Sequence, residues 1–291
     1  HVSTIVVAVK NNFERRIGIW PAQFDKDDIL YTNTAYGDYP HYLPNAKANH
    51  DASQFTGWML LNYQKPVKVS STLGAFSANL SVDEDIKTYW SAATDNKGEW
   101  IQTDLDTLST INAVQINYAD QDATLMGKQT AIFHQYKLYS SNDGVNWKML
   151  IDKSTNKTDI PHEYVELATP VNARYLKLEN VHMPTGKFAI SGFRVFGQGA
   201  GDIPDTVQHF VVLRGNSERR NSWLKWQVNP AASGYTIYTG TAPDKLYTSI
   251  MVQGSNEYYF TAMEKDQPYY FQIEAFNENG ISKRTAIIKT E

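Results

Sequence analysis

Cysteine is the most informative absence, because none of the 291 residues is a cysteine. Disulfide bonds, thiolate-ligated zinc and cysteine nucleophiles are therefore excluded. A large exported β-protein without disulfides is more typical of bacteria than of animals. We therefore expect a secreted, periplasmic or bacterial cell-surface location.

Further absences narrow the classes of function. No apolar run approaches the roughly 18–20 residues that a membrane-spanning helix needs. The net charge is −4 and the pI is about 6.0, without the excess of basic residues that is usual in nucleic-acid-binding proteins. The phosphate-binding glycine loop, the H-E-x-x-H motif and the G-x-S-x-G motif are all missing. We therefore expect no nucleic-acid partner and no membrane span.

The positive signal is almost entirely that of β-strands. Short runs rich in Val, Ile, Tyr, Phe and Thr are separated by Gly, Asn, Asp and Pro, as in β-sandwiches. The turn-forming stretch QGAGDIPD, which begins at residue 198, predicts a linker, and a second boundary falls at Lys65-Pro66. The fold class is predicted to be all-β, in three segments: 1–65, 66–199 and 204–291.

The C-terminal segment shows the alternation of a two-sheet sandwich. In SWLKWQVNPAASGYTIYTG the apolar positions alternate, and they alternate again in YYFQIEAF after the turn EKDQP. The segment resembles a fibronectin type III domain. The resemblance implies that Trp226 is the core tryptophan and that Tyr269 is the tyrosine-corner residue, whose hydroxyl bonds to upstream backbone. A domain of this kind is expected to be a spacer or docking module.

The middle segment carries several motifs in order. They are NLSVDEDIKTYWSAATDNKGEWIQTDL, YKLYSSNDGVNWKML, ARYLKLENV and FAISGFRVFG. This succession resembles an F5/8 type C (discoidin-like) domain, which is also found as a carbohydrate-binding module of bacterial glycosidases. The resemblance implies a jelly-roll β-sandwich whose loops at one end bind ligand. Asp143-Gly144 predicts a hairpin turn, and Arg174 is interpreted as a structural ion-pair partner.

Three loops of the middle segment are candidates for a sugar site, which needs an aromatic platform and planar polar groups. They are 95–97, the long insert 120–134 and 182–188, and long loops in compact sandwiches are often functional. The predicted carbohydrate-binding residues are Asp120, His134, Lys187 and Phe188. The alternative is that these loops are ordinary solvated loops or pack on a neighbouring domain.

An acidic stretch, VDEDIKT, offers a possible calcium site. Calcium takes six to eight oxygen ligands, and sugar-binding relatives of the discoidin-like family often hold a structural Ca²⁺ at this loop, completed by a Glu near the final strand. The resemblance implies Asp83, Asp85 and Thr88 as ligands, whereas Ser191-Gly192 stands where that Glu is found. The alternative is a solvated acidic turn.

Residues 1–65 are predicted to form strands that are too few to make a stable sheet on their own. HVSTIVVAV and ERRIGIW predict a hairpin around Lys10-Asn11-Asn12, and a third strand follows the turn Asp25–Asp28, whose carboxylates are expected to be solvated. With the exit segment GDYPHYLP, this stretch resembles the closing strands of a family 43-like five-bladed propeller glycoside hydrolase. His41 is interpreted as a residue that packs against the absent part of the propeller, rather than as a ligand or base.

These resemblances together imply the C-terminal part of a larger enzyme. The catalytic acids of the propeller family come from earlier blades, and nothing in residues 1–65 matches them. We therefore expect a non-catalytic accessory region of a glycoside hydrolase of the xylosidase or arabinofuranosidase type, acting on plant-type polysaccharide. Two alternatives stay open: the domains only buttress the absent catalytic propeller, or the chain is a cell-surface adhesion fragment.

Overall fold

The computed structural model describes residues 2–4, 15–17, 22–32, 34–42, 55–124 and 132–290, and within these ranges the regular structure is strand apart from one 3-10 turn. The prediction of an all-β fold is confirmed. The strands are β1 (Val2–Thr4), β2 (Arg15–Ile17), β3 (Ala22–Phe24), β4 (Leu30–Thr32), β5 (Met59–Leu60), β6 (Val67–Val69), β7 (Trp90–Ser91), β8 (Trp100–Tyr118), β9 (Gln135–Ser141), β10 (Lys148–Asp152), β11 (His162–His182), β12 (Ala189–Gln198), β13 (Val211–Arg214), β14 (Ser222–Lys225), β15 (Gly234–Gly240), β16 (Thr248–Gln253), β17 (Glu257–Phe260), β18 (Tyr269–Asn277), β19 (Gly280–Ile281) and β20 (Ile288–Thr290). The 3-10 turn is Ala78–Ser81. No helix in the described part of the chain is long and apolar enough to cross a membrane.

The chain divides into two compact units that do not follow the order of the sequence. The first comprises His1–Gly18 and Leu60–Ala200, and the second comprises Ile19–Met59 and Gly201–Glu291. The predicted middle segment lies within the first unit. The predicted N-terminal segment is shared between the two, and most of its described residues belong with the C-terminal segment.

The first unit is built on two long, bent strands. Its sheet runs in the order β10-β9-β11-β8-β12, with β6 paired to β8 and β7 paired to β12. The register between β8 and β11 shifts twice, between Glu166 and Val171 and between Ala173 and Tyr175. Bulges of this kind bend a strand and strengthen its twist, so both strands can curve around one core. That core is apolar and fully enclosed, with Trp90, Ile116, Leu178, Phe188 and Phe193 at 0% exposure.

Two local predictions for this unit are confirmed. β9 and β10 pair as a hairpin, and Gly144 at its turn has a φ of 73°, a conformation that suits glycine. The Asp143 carboxylate accepts hydrogen bonds from the backbone N–H groups of Val145 and Asn146, each at 2.8 Å. Arg174 makes a bidentate ion pair with Asp104, at 2.7 and 2.8 Å, as its structural interpretation requires.

The second unit contains two sheets around its own core. One sheet runs β13-β14-β17 and the other β16-β15-β18-β19, with β20 paired to β18. Trp226 is 3% exposed within this core, which confirms its predicted burial. The Tyr269 hydroxyl accepts a hydrogen bond from the backbone N–H of Glu264 at 3.0 Å, so the predicted bond to upstream backbone is also present. The assignment to the fibronectin type III family stays a prediction.

The described part of the N-terminal segment forms two strand pairs. β1 pairs with β2, with Val2 opposite Ile17, as predicted, while the predicted turn at Lys10-Asn11-Asn12 lies outside the described residues. β3 pairs with β4. His41 packs its ring 5.6 Å from that of Phe55, which agrees with a packing role.

The expectation that the turn Asp25–Asp28 is solvated is wrong for its first residue. The Asp25 side chain is 8% exposed, and its Oδ2 lies 3.3 Å from Lys245 Nζ. Asp27 also pairs with Lys245, at 2.6 Å, but stays half-exposed. The physical reason is that Lys245 and Tyr247, from a remote part of the sequence, contact the Asp25 carboxylate and shield it from water.

Candidate functional site

The loops 120–124 and 182–188 lie side by side at one end of the first unit. The Lys187 N–H donates to Gln121 O at 2.9 Å, and the Thr124 N–H donates to Thr185 Oγ1 at 3.0 Å. Gly186 permits this approach, because its φ is 73° and a Cβ there would lie only 2.3 Å from Gln121 O. The two loops therefore form one continuous rim.

The third predicted loop joins the same end from the other side. The Phe188 N–H donates to Thr94 O at 3.1 Å. Asn180, near the end of β11, donates from Nδ2 to Asp95 O and Asn96 O at 2.9 and 3.0 Å. Residues 95–98 are themselves exposed. The described residues of the three loops thus lie together at one end of the unit, and residues 125–131 of the predicted insert lie outside the described part of the chain.

Phe188 is not part of an exposed platform. It is 0% exposed and its ring meets Trp90 edge-on, with centroids 5.4 Å apart. It comes directly before β12 and turns into the core of the unit, where Ile190 is also buried. Its predicted role as a sugar contact is therefore wrong, because a fully buried ring has no face to offer to a ligand.

His134 is also buried rather than displayed. It is 9% exposed, and its ring stacks on Tyr118 with centroids 3.8 Å apart. Burial, with a further contribution from His182, lowers the pKa of His134 to about 3, so its ring is neutral at physiological pH. Its Nδ1 has no hydrogen-bond partner among the described residues. This burial argues against the predicted direct contact with sugar.

Asp120 and Lys187 are less buried than Phe188 and His134. Both are half-buried on the rim of the joined loops. The backbone of Lys187 is held by its hydrogen bond to Gln121 O. The roles of Asp120 and Lys187 in carbohydrate binding stay predictions.

An aromatic pair that sequence reasoning missed lies beside these loops. Phe76 and Tyr89 are half-exposed and stack at 4.7 Å with an interplanar angle of 18°. The Tyr89 hydroxyl donates to Gln121 Oε1 at 2.6 Å, and Gln121 Nε2 donates to Asp122 Oδ1 at 2.9 Å. Burial and the Asp122 charge raise the pKa of the Tyr89 phenol. The pair therefore borders the rim, next to amide and carboxylate groups.

A signal for Tyr89 was present in the sequence. Tyr89 immediately precedes Trp90 of β7, and successive side chains of an extended chain point to opposite sides. A buried Trp90 thus places Tyr89 on the outer side. Phe76 lies in a loop, where no periodicity indicates which way a side chain points.

Three oxygen atoms converge in the acidic loop. The Thr88 hydroxyl is placed to donate a hydrogen bond to Asp83 Oδ2 at 2.7 Å and to the backbone O of Asp85 at 3.0 Å. Oxygen donors of these kinds are those that calcium prefers, but calcium takes six to eight of them. No cluster of three or more acidic or histidine side chains able to hold a metal occurs among the described residues. The donor chemistry fits calcium, and backbone carbonyls or water would complete the set.

The remaining carboxylate of this loop is turned to a different partner. Glu84, whose φ is 61°, makes a bidentate ion pair with Arg194 at 2.9 and 2.8 Å. At Gly192, in the position where the family's Glu is expected, a Cβ would lie 2.8 Å from Asn117 Nδ2. The ion pair holds the loop against β12, the strand that carries both Arg194 and Gly192.

The comparison with protein families agrees with this architecture. Residues 66–193 match the family described as the F5/8 type C domain. This part of the chain is therefore an F5/8 type C domain, and it contains the joined loops, the Phe76–Tyr89 pair and the acidic loop.

Individual relatives are distant. Neuropilin-1a of Danio rerio is 24% identical over 208 residues, which are 62% of this chain and 22% of that protein. The chain thus spans about a fifth of this curated relative. Among solved structures, a chitosan-binding module of a chitosanase/glucanase from Paenibacillus sp. IK-5 is 25% identical, covers 48% of this chain and 99% of its own, and has a TM-score of 0.40. The family 32 carbohydrate-binding module of Clostridium perfringens NanJ, solved with galactose, is 15% identical, with 48% and 98% coverage and a TM-score of 0.40.

Proposed function

We propose that the F5/8 type C domain binds carbohydrate at the end where its three loops meet. The observation that carries this proposal is the half-exposed Phe76–Tyr89 pair, joined through the Tyr89 hydroxyl to Gln121 on the rim. An exposed aromatic ring offers a flat apolar surface to the C–H face of a sugar. The amide of Gln121, the carboxylate of Asp122 and the ammonium of Lys187 are suited to its hydroxyls.

The proposal extends to the parent protein. The chain would be the non-catalytic C-terminal part of an exported glycoside hydrolase, of the xylosidase or arabinofuranosidase type, that acts on plant-type polysaccharide. The propeller-like motifs of residues 1–65 and the F5/8 type C domain support this reading. Attachment of such a module raises the local enzyme concentration at a polysaccharide, in the way that linked binding modules gain avidity.

Affinity electrophoresis in gels containing xylan, arabinan, arabinoxylan or galactan tests the site. We expect one polysaccharide to retard the wild-type chain and Tyr89→Ala to lose that retardation. Tyr259→Ala is the control, because Tyr259 is an exposed tyrosine in the second unit. Equal retardation of wild type and Tyr89→Ala would contradict the proposed platform.

A purely structural role is the second candidate. It is favoured by the extent to which the loops satisfy their own polar groups, as in the bonds of Asn180 to Asp95 and Asn96. A folded chain that no polysaccharide retards would support this role. The F5/8 type C domain would then act as a rigid support for neighbouring parts of the protein.

We also propose that the acidic loop holds a structural calcium ion through Asp83, Asp85 and Thr88. The convergence of their three oxygen atoms supports this proposal. Calcium is expected to raise the melting temperature of the wild-type chain over that measured in EDTA, and Asp83→Asn should abolish the difference. The exposed Asp159→Asn variant is the control. No calcium-dependent change in the wild type would contradict the site.

A further inference from the structure

An acidic turn of the N-terminal segment is held by the C-terminal segment within the second unit. Asp25 Oδ1 accepts the backbone N–H groups of Asp27 and Ile29 at 2.8 and 2.9 Å. Its Oδ2 accepts the Tyr247 hydroxyl at 2.5 Å and lies 3.3 Å from Lys245 Nζ. One carboxylate therefore both shapes the turn and binds residues more than 200 positions away.

The charges on the two sides are complementary. Lys245 lies 2.6 Å from Asp27, and Lys26 lies 2.7 Å from Asp244. The turn therefore carries the sequence Asp25-Lys26-Asp27, and the C-terminal segment carries the oppositely charged partners Asp244 and Lys245. Exposed ion pairs contribute little to stability individually, but they favour this alignment over alternative registers.

Packing beside the turn extends the contact. The rings of Tyr31 and Tyr247 stack at 4.0 Å with an interplanar angle of 12°. The hydroxyl groups of Thr34 and Ser249 are 2.8 Å apart. Aromatic pairs in such arrangements contribute beyond their buried area, so this part of the contact does not depend on charge alone.

A second anchor follows a few residues later and is buried. Tyr36 is 3% exposed and donates its hydroxyl to Glu274 Oε1 at 3.0 Å. Tyr238 donates to the same oxygen at 2.7 Å, and Arg284 pairs with the other carboxylate oxygen at 3.0 Å. The Tyr36 ring also meets Phe276 edge-on at 5.6 Å. Without residues 34–39, part of this buried polar and apolar surface would meet water.

We propose that the C-terminal domain is a docking domain whose partner is residues 22–42 of the same chain. Its surface recognises an acidic turn followed by a buried tyrosine, through Lys245, Tyr247 and Glu274. The F5/8 type C domain is therefore an insertion between two parts of one folded unit. This role replaces that of a passive spacer, because the domain fastens the segment that precedes the F5/8 type C domain.

An engineered disulfide tests the docked arrangement in solution. The chain has no cysteine, so Thr34→Cys with Ser249→Cys introduces the only possible pair, at positions whose side-chain oxygens are 2.8 Å apart. Disulfides need Cβ atoms about 3.5–4.5 Å apart. We expect nearly complete intramolecular disulfide formation on mild oxidation, detected by non-reducing peptide mapping.

The control pair is Thr34→Cys with Ser217→Cys, since Ser217 is exposed in the loop between β13 and β14 of the other sheet. It should stay reduced. A folded Thr34→Cys/Ser249→Cys protein that forms no disulfide would overturn the proposal. A disulfide found only between two molecules would also overturn it, because the partner would then be a second copy.

A cleavable linker tests whether the docking surface holds without the covalent connection. A protease site inserted between Gly199 and Ala200 would be cut in the otherwise full-length chain. We expect the two pieces to co-elute, and the combination Tyr36→Ala with Lys245→Met to increase their dissociation at least tenfold. Circular dichroism of the uncut variant establishes that it is folded. Immediate separation of the pieces of the otherwise unaltered chain would overturn the proposal.

Discussion

At the scale of single residues, neighbouring side chains of one loop differ in burial and therefore in role. Phe188 and Lys187 are neighbours, yet Phe188 is in the core and Lys187 is on the rim. Their residue types suggested a joint site, but Phe188 leads into β12, whose first residues Ala189 and Ile190 are also fully buried. The burial of His134 could not be predicted from the local sequence, because it depends on stacking against Tyr118, the last residue of β8.

Replacing Phe188 should therefore affect stability rather than recognition. We expect Phe188→Ala to lower the free energy of unfolding by about 3–5 kcal/mol, as truncation of a buried aromatic residue does. Tyr89→Ala should cost much less, because its ring is half-exposed. Urea denaturation of both variants measures the difference. A small loss of stability for Phe188→Ala would contradict its place in the core.

The neutral ring of His134 predicts an acid-dependent loss of stability. Its pKa is about 3 in the folded protein against 6.5 ordinarily, so the unfolded state binds an extra proton between these pH values. The His134 contribution is thus fully present above pH 6.5 and lost as the pH falls toward 3, with a slope of at most about 1.4 kcal/mol per pH unit.

Urea denaturation across this pH range measures that slope. We expect His134→Gln to have a shallower dependence than the wild type. His209→Asn is the control, because His209 is exposed and its φ of 54° is tolerated by asparagine. Parallel pH profiles for wild type and His134→Gln would contradict a buried neutral histidine.

At the scale of elements, turns with a strong local code were predictable. Asp143-Gly144 indicated the β9–β10 hairpin because a positive φ suits glycine, and Tyr269 indicated its corner bond through the resemblance of its surroundings. The continuity of β8 and β11 was not predictable. Their bulges depend on pairing between strands about 60 residues apart, which no local pattern encodes.

The corner bond of Tyr269 should contribute measurably to the second unit. Tyr269→Phe removes the acceptor for the Glu264 N–H, and we expect a loss of about 1 kcal/mol, typical of one hydrogen bond. Thermal unfolding followed by calorimetry measures it. Tyr259→Phe is the matched control, since Tyr259 is 44% exposed on β17. Equal stability of the two variants would contradict the role of the corner.

At the scale of the whole molecule, the division into two units departs from the contiguous domains that composition suggested. The boundaries near Lys65-Pro66 and residue 198 stay predictions, and the match to the F5/8 type C family spans residues 66–193. The return of residues 22–42 to the C-terminal segment was hidden, because Asp25 and Lys245 are 220 positions apart. Taken separately, the sequence around Asp25 and the sequence around Lys245 each predict an ordinary charged turn.

Weakening the docked turn should lower the stability of the second unit selectively. Lys245→Met removes the cation beside Asp25 and Asp27. In scanning calorimetry we expect the transition of the second unit to fall by a few degrees while that of the F5/8 type C domain stays unchanged. The exposed Lys265→Met variant is the control. An unchanged second transition would contradict a stabilising contact.

Carbohydrate binding by the F5/8 type C domain is the central claim, and calorimetric titration tests it most directly. The full chain would be titrated with oligosaccharides of xylan, arabinan, arabinoxylan and galactan, with and without calcium. We predict saturable heat for one class, an affinity about tenfold or more lower for Tyr89→Ala, and an unchanged affinity for Tyr259→Ala. No heat with any oligosaccharide, from a protein shown to be folded, would contradict the account.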